Sequence, residues 1–509
     1  MEADSVTSRE MQALETNAHY FGISRLQLME NAGRNIAQEI SVRFPSRNTR
    51  IVLFCGLGGN GGDGFVAARH LLSLGYSVQL VVAGRTASIR HVEARNNWQA
   101  LRMLLNEITV YEISDSSDVP EITADVAVDA LLGFGLEGIP REPIASLIRA
   151  INQMEAFRLA VDVPTGVDSD TGDVTGEAVK ADLTVTFHKA KLGLHKSHSH
   201  VGEIIVSHIG IPKALEVFSG PGDVQLVVKK RSLESHKGDH GKLLILGGSE
   251  TYSGAPVLAA LAALRTGIDL VYVAAPEKTA SDIACLTPDI ISVKLKGKHL
   301  NTDNVPQIGQ YLQGITAAVV GPGLGLHEDT RETVLKVVAA AEDLRIPLVV
   351  DADAVKAFAG FTRPLRMPAV FTPHKGEYQI LTGDELPSSL HEKAKKVKKT
   401  ASKLNVTILL KGQPDIISDG KRAKLNFSGN PGMTVGGTGD VLTGIVGAFL
   451  SQEADPMEAA VAGAFINGAA GDFVKLEKGY HMLPTDLLDF IPKVIDDPMS
   501  HLKVQTSAP

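Results

Sequence analysis

The chain of 509 residues contains two cysteines, Cys55 and Cys285, far apart in sequence. That scarcity excludes a disulfide framework and a clustered zinc site, and it fits the reducing conditions of the cytoplasm, the expected location. No apolar run approaches the roughly 20 residues of a membrane span. Residues 1–10 are polar and acidic, so no secretory signal is expected there. Basic residues are in deficit: 50 Lys and Arg against 58 Asp and Glu give a net charge of -8. A nucleic-acid footprint is not expected, and an anionic substrate must be held by local basic groups and backbone N–H groups. The phosphate-loop pattern G-x-x-x-x-G-K-[ST] is also missing. Apolar residues make up 44% and charged residues 21%, an ordinary globular balance for two or three domains.

The most informative stretch is residues 430–440, Asn-Pro-Gly-Met-Thr-Val-Gly-Gly-Thr-Gly-Asp, which runs into an apolar helix-length segment. The free N–H groups at a helix start attract a phosphate, and glycines let the backbone approach it. Asp440 is an anion beside that anion site. It points to proton removal from a hydroxyl before attack on a phosphoryl group. A glycine loop with an aspartate N-cap has the same sequence.

The first half alternates strands and helices. Residues 8–43 read as helical, with Glu30 and Asn31 as solvent-facing polar residues. A strand over residues 50–55 leads into a glycine loop, residues 56–64, in which Gly56, Gly58 and Gly61 satisfy G-x-G-x-x-G. The next strand ends in Ala83-Gly84-Arg85, without the acidic residue that a dehydrogenase uses on the ribose. Asn60 and Asp63 add oxygen donors that a plain pyrophosphate loop does not need. Asp129 and Asp162 lie near strand ends. With Asn60 and Thr165 they suit a hard cation, although turn aspartates bonding their own backbone look the same. Residues 184–193 bring Lys189 and Lys191 to a glycine turn. His195, His198 and His200 lack a nearby acidic or cysteine partner and read as an exposed loop.

A Pro/Gly/Ser-rich join precedes a second strand–helix series, and the boundary is expected at residue 220, giving domains 1–220 and 221–509. In the second half, apolar strands end at residues 246, 320, 350, 371 and 410, each followed by Gly, Pro or polar residues. This is the pattern of an α/β sheet with its loops at one edge. The basic run at residues 391–403 reads as a solvated helix face.

These motifs, in this order, resemble a known family. Residues 8–210 resemble the NAD(P)H-hydrate epimerase domain through residues 28–33, 58–64, 129–133, 162–166 and 191–193. Residues 228–495 resemble the NAD(P)H-hydrate dehydratase domain through residues 236–238, 247–249, 254–256, 321–325, 351–354, 372–377, 411–412 and the 430–440 loop. The fused order is similar to that of bifunctional hydrate-repair enzymes. The resemblance implies an N-terminal Rossmann-like three-layer α/β domain and a C-terminal ribokinase-like α/β domain.

It also implies an activity. NADH and NADPH that have taken up water exist as R and S hydrates, NADHX and NADPHX. The first domain would interconvert them, and the second would dehydrate the S form at the expense of ADP or ATP, with Mg2+ accompanying the nucleotide and phosphate released. Gly59, Asn60, Gly61, Gly62 and Asp63 fall on the family's substrate loop, and Gly133, Phe134, Gly135, Leu136, Glu137, Gly138 and Ile139 on a second one. Asp162 is a substrate-contacting carboxylate that would act in proton transfer, assisted by Lys191. Asn60, Asp129 and Thr165 fall on a potassium site. In the dehydratase domain Ala255, Gly323, His374 and Asp440 match hydrate contacts. Lys411, Gly412, Gln413, Pro414, Asp415 and Gly439 match nucleotide contacts. A homo-oligomer is expected, without nucleic-acid or membrane partners. Gly59 stands where the family usually has asparagine, Thr165 where serine is common, and Thr434 where a smaller residue is usual.

Asp440 is the expected catalytic base of the second domain. Two rival readings use the same residues: a kinase for a vitamin-type alcohol, which would leave a stable phosphorylated product, and a nucleotide-binding regulator in the first half.

Overall fold

The computed structural model describes residues 5–505 apart from Leu105, Leu136 and Glu137. The chain divides between Lys213 and Ala214 into two compact units. The expected boundary at residue 220 lies within the second unit. There the Ser219 N–H donates to Leu425 O at 2.9 Å and Ser219 Oγ donates to Asn426 Oδ1 at 2.8 Å, fastening this stretch to a sheet edge.

The first unit opens with two helices, α1 (Ser8–Tyr20) and α2 (Arg25–Arg43), where one continuous helical stretch was expected. Gly22, at φ +95°, ends the first. Ser24 starts the second with a capping box: its hydroxyl accepts from Gln27 N at 3.2 Å, and its N–H donates to Gln27 Oε1 at 2.7 Å. Seven parallel strands follow: β1 (Arg50–Cys55), β2 (Ser77–Ala83), β3 (Thr109–Ile113), β4 (Val126–Ala130), β5 (Phe157–Val161), β6 (Leu183–Phe187) and β7 (Glu203–Ser207), in spatial order β3-β2-β1-β4-β5-β6-β7. Helices cover the sheet, so its central strands are solid apolar runs. The order reverses between β1 and β4, and that reversal opens a crevice at the carboxyl ends of these strands.

Helix α3 (Gly59–Ser73) begins directly after Gly58, so much of the expected glycine loop is the first turns of a helix. Two glycines make this possible. A Cβ on Gly56 would lie 1.9 Å from Leu131 O, and one on Gly61 would lie 1.9 Å from Gly56 O. Glu30 and Asn31 are not mere solvent-facing residues. Glu30 pairs with Arg69 and His70, and Asn31 Nδ2 donates to Ile209 O at 2.8 Å.

The second unit has nine strands: β8 (Lys242–Leu246), β9 (Leu270–Pro276), β10 (Ile291–Leu295), β11 (Ala317–Val320), β12 (Leu348–Val350), β13 (Ala369–Phe371), β14 (Thr407–Leu410), β15 (Asp415–Ser418) and β16 (Ala423–Asn426). Their order is β10-β9-β8-β11-β12-β13-β14-β15-β16, parallel except for the pairs β14–β15 and β15–β16. A core of Leu246, Val320, Val350, Phe371, Tyr378 and Ile408 lies against one face. The helices that matter for the site are α4 (Gly254–Arg265), α5 (Lys375–Thr382), α6 (Leu390–Leu404), α7 (Thr438–Ser451) and α8 (Pro456–Lys478). The basic α6 buries Val397, Ala401 and Leu404, and its Lys395 and Lys396 pair with Glu392 and Asp384.

Candidate active sites

In the first unit a cavity of about 410 Å³ opens at the carboxyl edge of β1, β4 and β5. Its polar wall includes Glu15, Asn60, Asp63, Asp162 and Lys191. Lys191 is fully buried and donates to Asp162 Oδ1, to Thr186 Oγ1 at 3.2 Å and to Phe187 O at 3.4 Å. Thr186 Oγ1 also donates to Asp162 Oδ1 at 3.0 Å. Asp162 stands at φ +66°, a left-handed conformation that an aspartate adopts at some cost. The Asp162 N–H bond to Val185 O at 2.8 Å and the lysine pair hold it there. Because Lys191 takes Asp162, only one of the two expected carboxylates is left for a cation.

That carboxylate is Asp129. It is buried, and accepts from Thr165 Oγ1 and Thr165 N, both at 2.7 Å. Burial pushes its pKa up to about 6 against these hydrogen bonds, and no Lys or Arg pairs with it among the described residues. Asn60 lies against Gly133, and its buried Nδ2 has no hydrogen-bond partner. A buried carboxylate with no paired cationic side chain among the described residues, with the Thr165 hydroxyl beside it, fits a hard monovalent cation.

Of the expected substrate residues, Gly59, Asn60, Asp63, Gly133, Phe134, Gly135 and Asp162 line the cavity. Gly61 and Gly62 instead face the protein, against Gly56 and Met29, while Gly138 and Ile139 are exposed and outside the cavity wall. Leu136 and Glu137 lie outside the described residues. His195, His198 and His200 form no group with metal-binding geometry among the described residues. Sequence reasoning missed Glu15. A signal was present: Glu15 occupies the face of α1 shared by the buried Met11 and Ala18. Burial pushes its pKa up to about 7, with Asp162 adding to the effect and Lys191 and Arg25 opposing it. Burial also holds the Asp63 carboxyl well above its usual range.

In the second unit, Gly437 caps α7 at φ +108°, and Thr438, Gly439 and Asp440 are its first three residues. Asp440 is therefore not the N-cap, the alternative left open by the sequence. The preceding loop is fixed from α8: Asp472 accepts from Gly429 N and Asn430 Nδ2, each at 2.9 Å, and meets His501 Nε2 at 3.0 Å. Thr434 caps nothing at the site and donates to Pro431 O at 2.9 Å. Burial pushes the Asp440 pKa up to about 7; Asp351 adds to the rise and Lys411 opposes it.

Lys411 follows β14, and a Cβ on Gly439 would lie 3.4 Å from its Nζ. Its ammonium donates to Asp351 Oδ1 at 2.9 Å. Asp351 also accepts from Thr372 at 2.7 Å and from Thr443 at 2.7 Å. Burial raises the Asp351 carboxyl, but the charge and hydrogen bonds of Lys411 and the two threonines outweigh it and hold it below the ordinary value.

Gly412, Gln413, Pro414 and Asp415 make the turn from β14 into β15. The Asp415 carboxylate accepts from Gly412 N at 2.8 Å and Asn426 Nδ2 at 3.0 Å, so it braces this turn. Ala255 and Gly323 are neighbours: a Cβ on Gly323 would lie 3.4 Å from Ala255 Cβ. His374 is exposed and caps α5, its Nδ1 accepting from Gly376 N at 3.0 Å, and it bridges in parallel to Lys411.

The fold and sites define an enzyme of two α/β units, the second with a glycine-rich helix start that carries a half-buried carboxyl, Asp440. The chain belongs to the family of bifunctional NAD(P)H-hydrate repair enzymes, and its second unit carries the match to the NAD(P)H-hydrate dehydratase family. Residues 25–193 match the family described as YjeF-related protein N-terminus, and residues 243–493 the family described as NAD(P)H-hydrate dehydratase. The bifunctional NAD(P)H-hydrate repair enzyme Nnr of Pyrobaculum aerophilum is 45% identical over 498 residues, covering 97% of this chain and 98% of the relative. The protein of that name from Methanothermobacter thermautotrophicus is 41% identical over 493 residues, covering 96% and 94%. Among solved structures, the ADP/ATP-dependent NAD(P)H-hydrate dehydratase from Bacillus subtilis, co-crystallised with ATP/Mg2+, matches at 28% identity and a TM-score of 0.48, over 55% of this chain and 98% of that one.

Proposed function

We propose that the first unit interconverts the R and S hydrates of NADH and NADPH, and that the second returns the S hydrate to NAD(P)H using ADP or ATP. The observation that carries the second activity is Asp440. It is a half-buried carboxyl with a pKa near 7, three residues into a helix whose first N–H groups have no partner within the helix.

Water leaves a neutral hydrate poorly. Asp440 takes the hydroxyl proton as the oxygen attacks the terminal phosphoryl of the nucleotide. The N–H groups of residues 436–439 and the Lys411 ammonium hold the charge that develops. The phosphate then departs, driven by the electron pair of the ring nitrogen, and the neighbouring carbon loses a proton to restore the ring double bond. His374, Ala255 and Gly323 are assigned to the hydrate, and residues 411–415 with Gly439 to the nucleotide. Mg2+ accompanies the nucleotide as a counter-ion of its phosphates.

In the first unit Asp162, paired with Lys191, is the group that moves a proton of the hydrate's hydroxyl. Asn60, Asp129 and Thr165 would hold potassium, whose charge would offset the buried carboxylate and fix the loops that bear these residues. The reaction is assigned to the cytoplasm, where Cys55 and Cys285 stay reduced.

The test incubates separated hydrate epimers with ADP or ATP and follows NADH absorbance and phosphate release. Recovery of NADH with stoichiometric phosphate is expected. A stable phosphorylated hydrate without NADH would favour a kinase instead. Asp440→Asn is expected to bind both ligands and lose about 100-fold or more in turnover; a wild-type rate would reject its role.

A further inference from the structure

The cavity of the first unit contains a carboxyl that none of the roles above uses. Glu15 comes from α1, and the chain fixes that helix deliberately against the lysine turn. Ser5 and Val6 pair in parallel with Ala190 and Lys191. Ser8 N and Ser8 Oγ both donate to Asp170 Oδ1 at 2.8 Å. Thr7 and Glu10 close a capping box at the helix start. These contacts fix α1 so that Glu15, on the buried face it shares with Met11 and Ala18, lines the cavity. Methionine and alanine on that face are buried, so an acid there has a desolvation cost that packing alone would remove by substitution.

Glu15 also differs from its neighbour. Asp162 Oδ1 accepts from Lys191 and Thr186, whereas no hydrogen bond ties Glu15 to the protein among the described residues. The groups facing it are Asp162 and Lys191 from the sheet edge, Asp63 from α3 and Arg25 from α2. One anion is committed to the buried ammonium, and the other acid is free to gain and lose a proton.

We propose that Glu15 is a catalytic acid–base residue of the epimerase, touching the hydrate across the cavity from the Asp162–Lys191 pair. This rests on the epimerase reading of the first unit. The hydrated carbon carries both the hydroxyl and the ring nitrogen, so breaking the carbon–nitrogen bond erases its configuration. Asp162 accepts the hydroxyl proton as that bond breaks and the carbon becomes an aldehyde, while Glu15 delivers its proton to the nitrogen. Rotation about the adjoining carbon–carbon bond presents the other face. The nitrogen then attacks, returning its proton to Glu15, and the alkoxide regains a proton from Asp162. Both carboxyls finish as they began. Because Glu15 starts protonated, exchange declines as pH rises above about 7.

The test uses the full chain, with epimer exchange of the NADH hydrate followed by chromatography after subtraction of the spontaneous rate. Binding of the same hydrate is measured by equilibrium dialysis, and dehydration of the S form reports on the other unit. Glu15→Gln is expected to bind hydrate and to exchange epimers about 100-fold or more slowly at pH 7. Glu15→Asp is expected to recover part of the rate and to move the pH at which exchange declines. Wild-type exchange by Glu15→Gln overturns the proposal, and so does loss of exchange that merely tracks lost hydrate binding. If Glu15→Gln unfolds the first unit, Glu15→Asp decides: an unmoved pH profile overturns the role and a moved one supports it. A wild-type chain that dehydrates the S hydrate but never exchanges epimers rejects the epimerase reading itself, and this proposal with it.

Discussion

The Asp351 carboxylate receives the Lys411 ammonium at 2.9 Å, beneath the helix that carries Asp440. The pair links the ends of β12 and β14 and sets the charge around Asp440, the proposed base. Two threonines, Thr372 and Thr443, complete its hydrogen bonds, which is what lets a carboxylate stay charged at this depth.

Removing one partner leaves the other charge buried and uncompensated. Asp351→Asn is expected to destabilise the second unit by about 3–5 kcal/mol. Urea unfolding read by hydrogen exchange in β12 and β14 measures this. The double variant Asp351→Asn with Lys411→Met is expected to regain much of the loss, and full additivity of the two single changes would contradict the coupling.

The pH dependence of dehydration follows from Asp440. As a base it must be deprotonated, and its pKa lies near 7. Turnover at saturating substrate is expected to rise with pH through about 7 and then level. Lys411 lowers this pKa, so Lys411→Met moves the limb to higher pH. A flat profile between pH 5.5 and about 8 would exclude Asp440 as the titrating base.

The proposed potassium site at Asn60, Asp129 and Thr165 has a readout that does not depend on turnover. An ion that binds only the folded state raises its melting temperature. KCl is expected to stabilise the first unit more than NaCl at equal ionic strength, and Asp129→Asn to abolish the difference while reducing epimer exchange about 10- to 100-fold. Equal melting curves in the two salts would remove potassium from the assignment.

Glu15 also links stability to pH. Its pKa rises from 4.5 to about 7 in the folded chain. Between these values the folded form keeps a proton that the unfolded chain has lost, so stability falls as pH rises through that window. Relative to a neutral side chain, the burial of Glu15 costs nothing below about 4.5 and its full penalty above about 7. Glu15→Gln removes this term. At pH 8 it is expected to stabilise the first unit by about 2–4 kcal/mol relative to wild type, and at pH 4 by little. Calorimetry at the two pH values checks it.

Several features could be read from residues alone. The strand over residues 50–55 is β1 to the residue, because both faces are covered and its apolar run carries no helical period. The Gly-Gly-Thr-Gly-Asp stretch announced a helix start with a carboxyl beside it, since only small residues and local N–H groups are involved. Helix limits were less legible. The break at Gly22 is a single left-handed residue inside a helical pattern, and the turn at residues 59–64 became helix because Gly61 lets α3 close on Gly56 O.

The sequence by itself determined the two α/β units, the order of their motifs and the residues of the dehydratase helix start, because each depends on local periodicity and turn chemistry. Only the tertiary structure decided which charges meet. Lys191 reaches Asp162 and removes it from the cation site, Asp351 holds Lys411, and α1 carries Glu15 to the same cavity through the pairing of residues 5–6 with 190–191. These partners lie far apart along the chain, and their energies come from burial. A carboxylate's behaviour in water becomes a raised pKa or an ion pair only when the fold withdraws it from solvent.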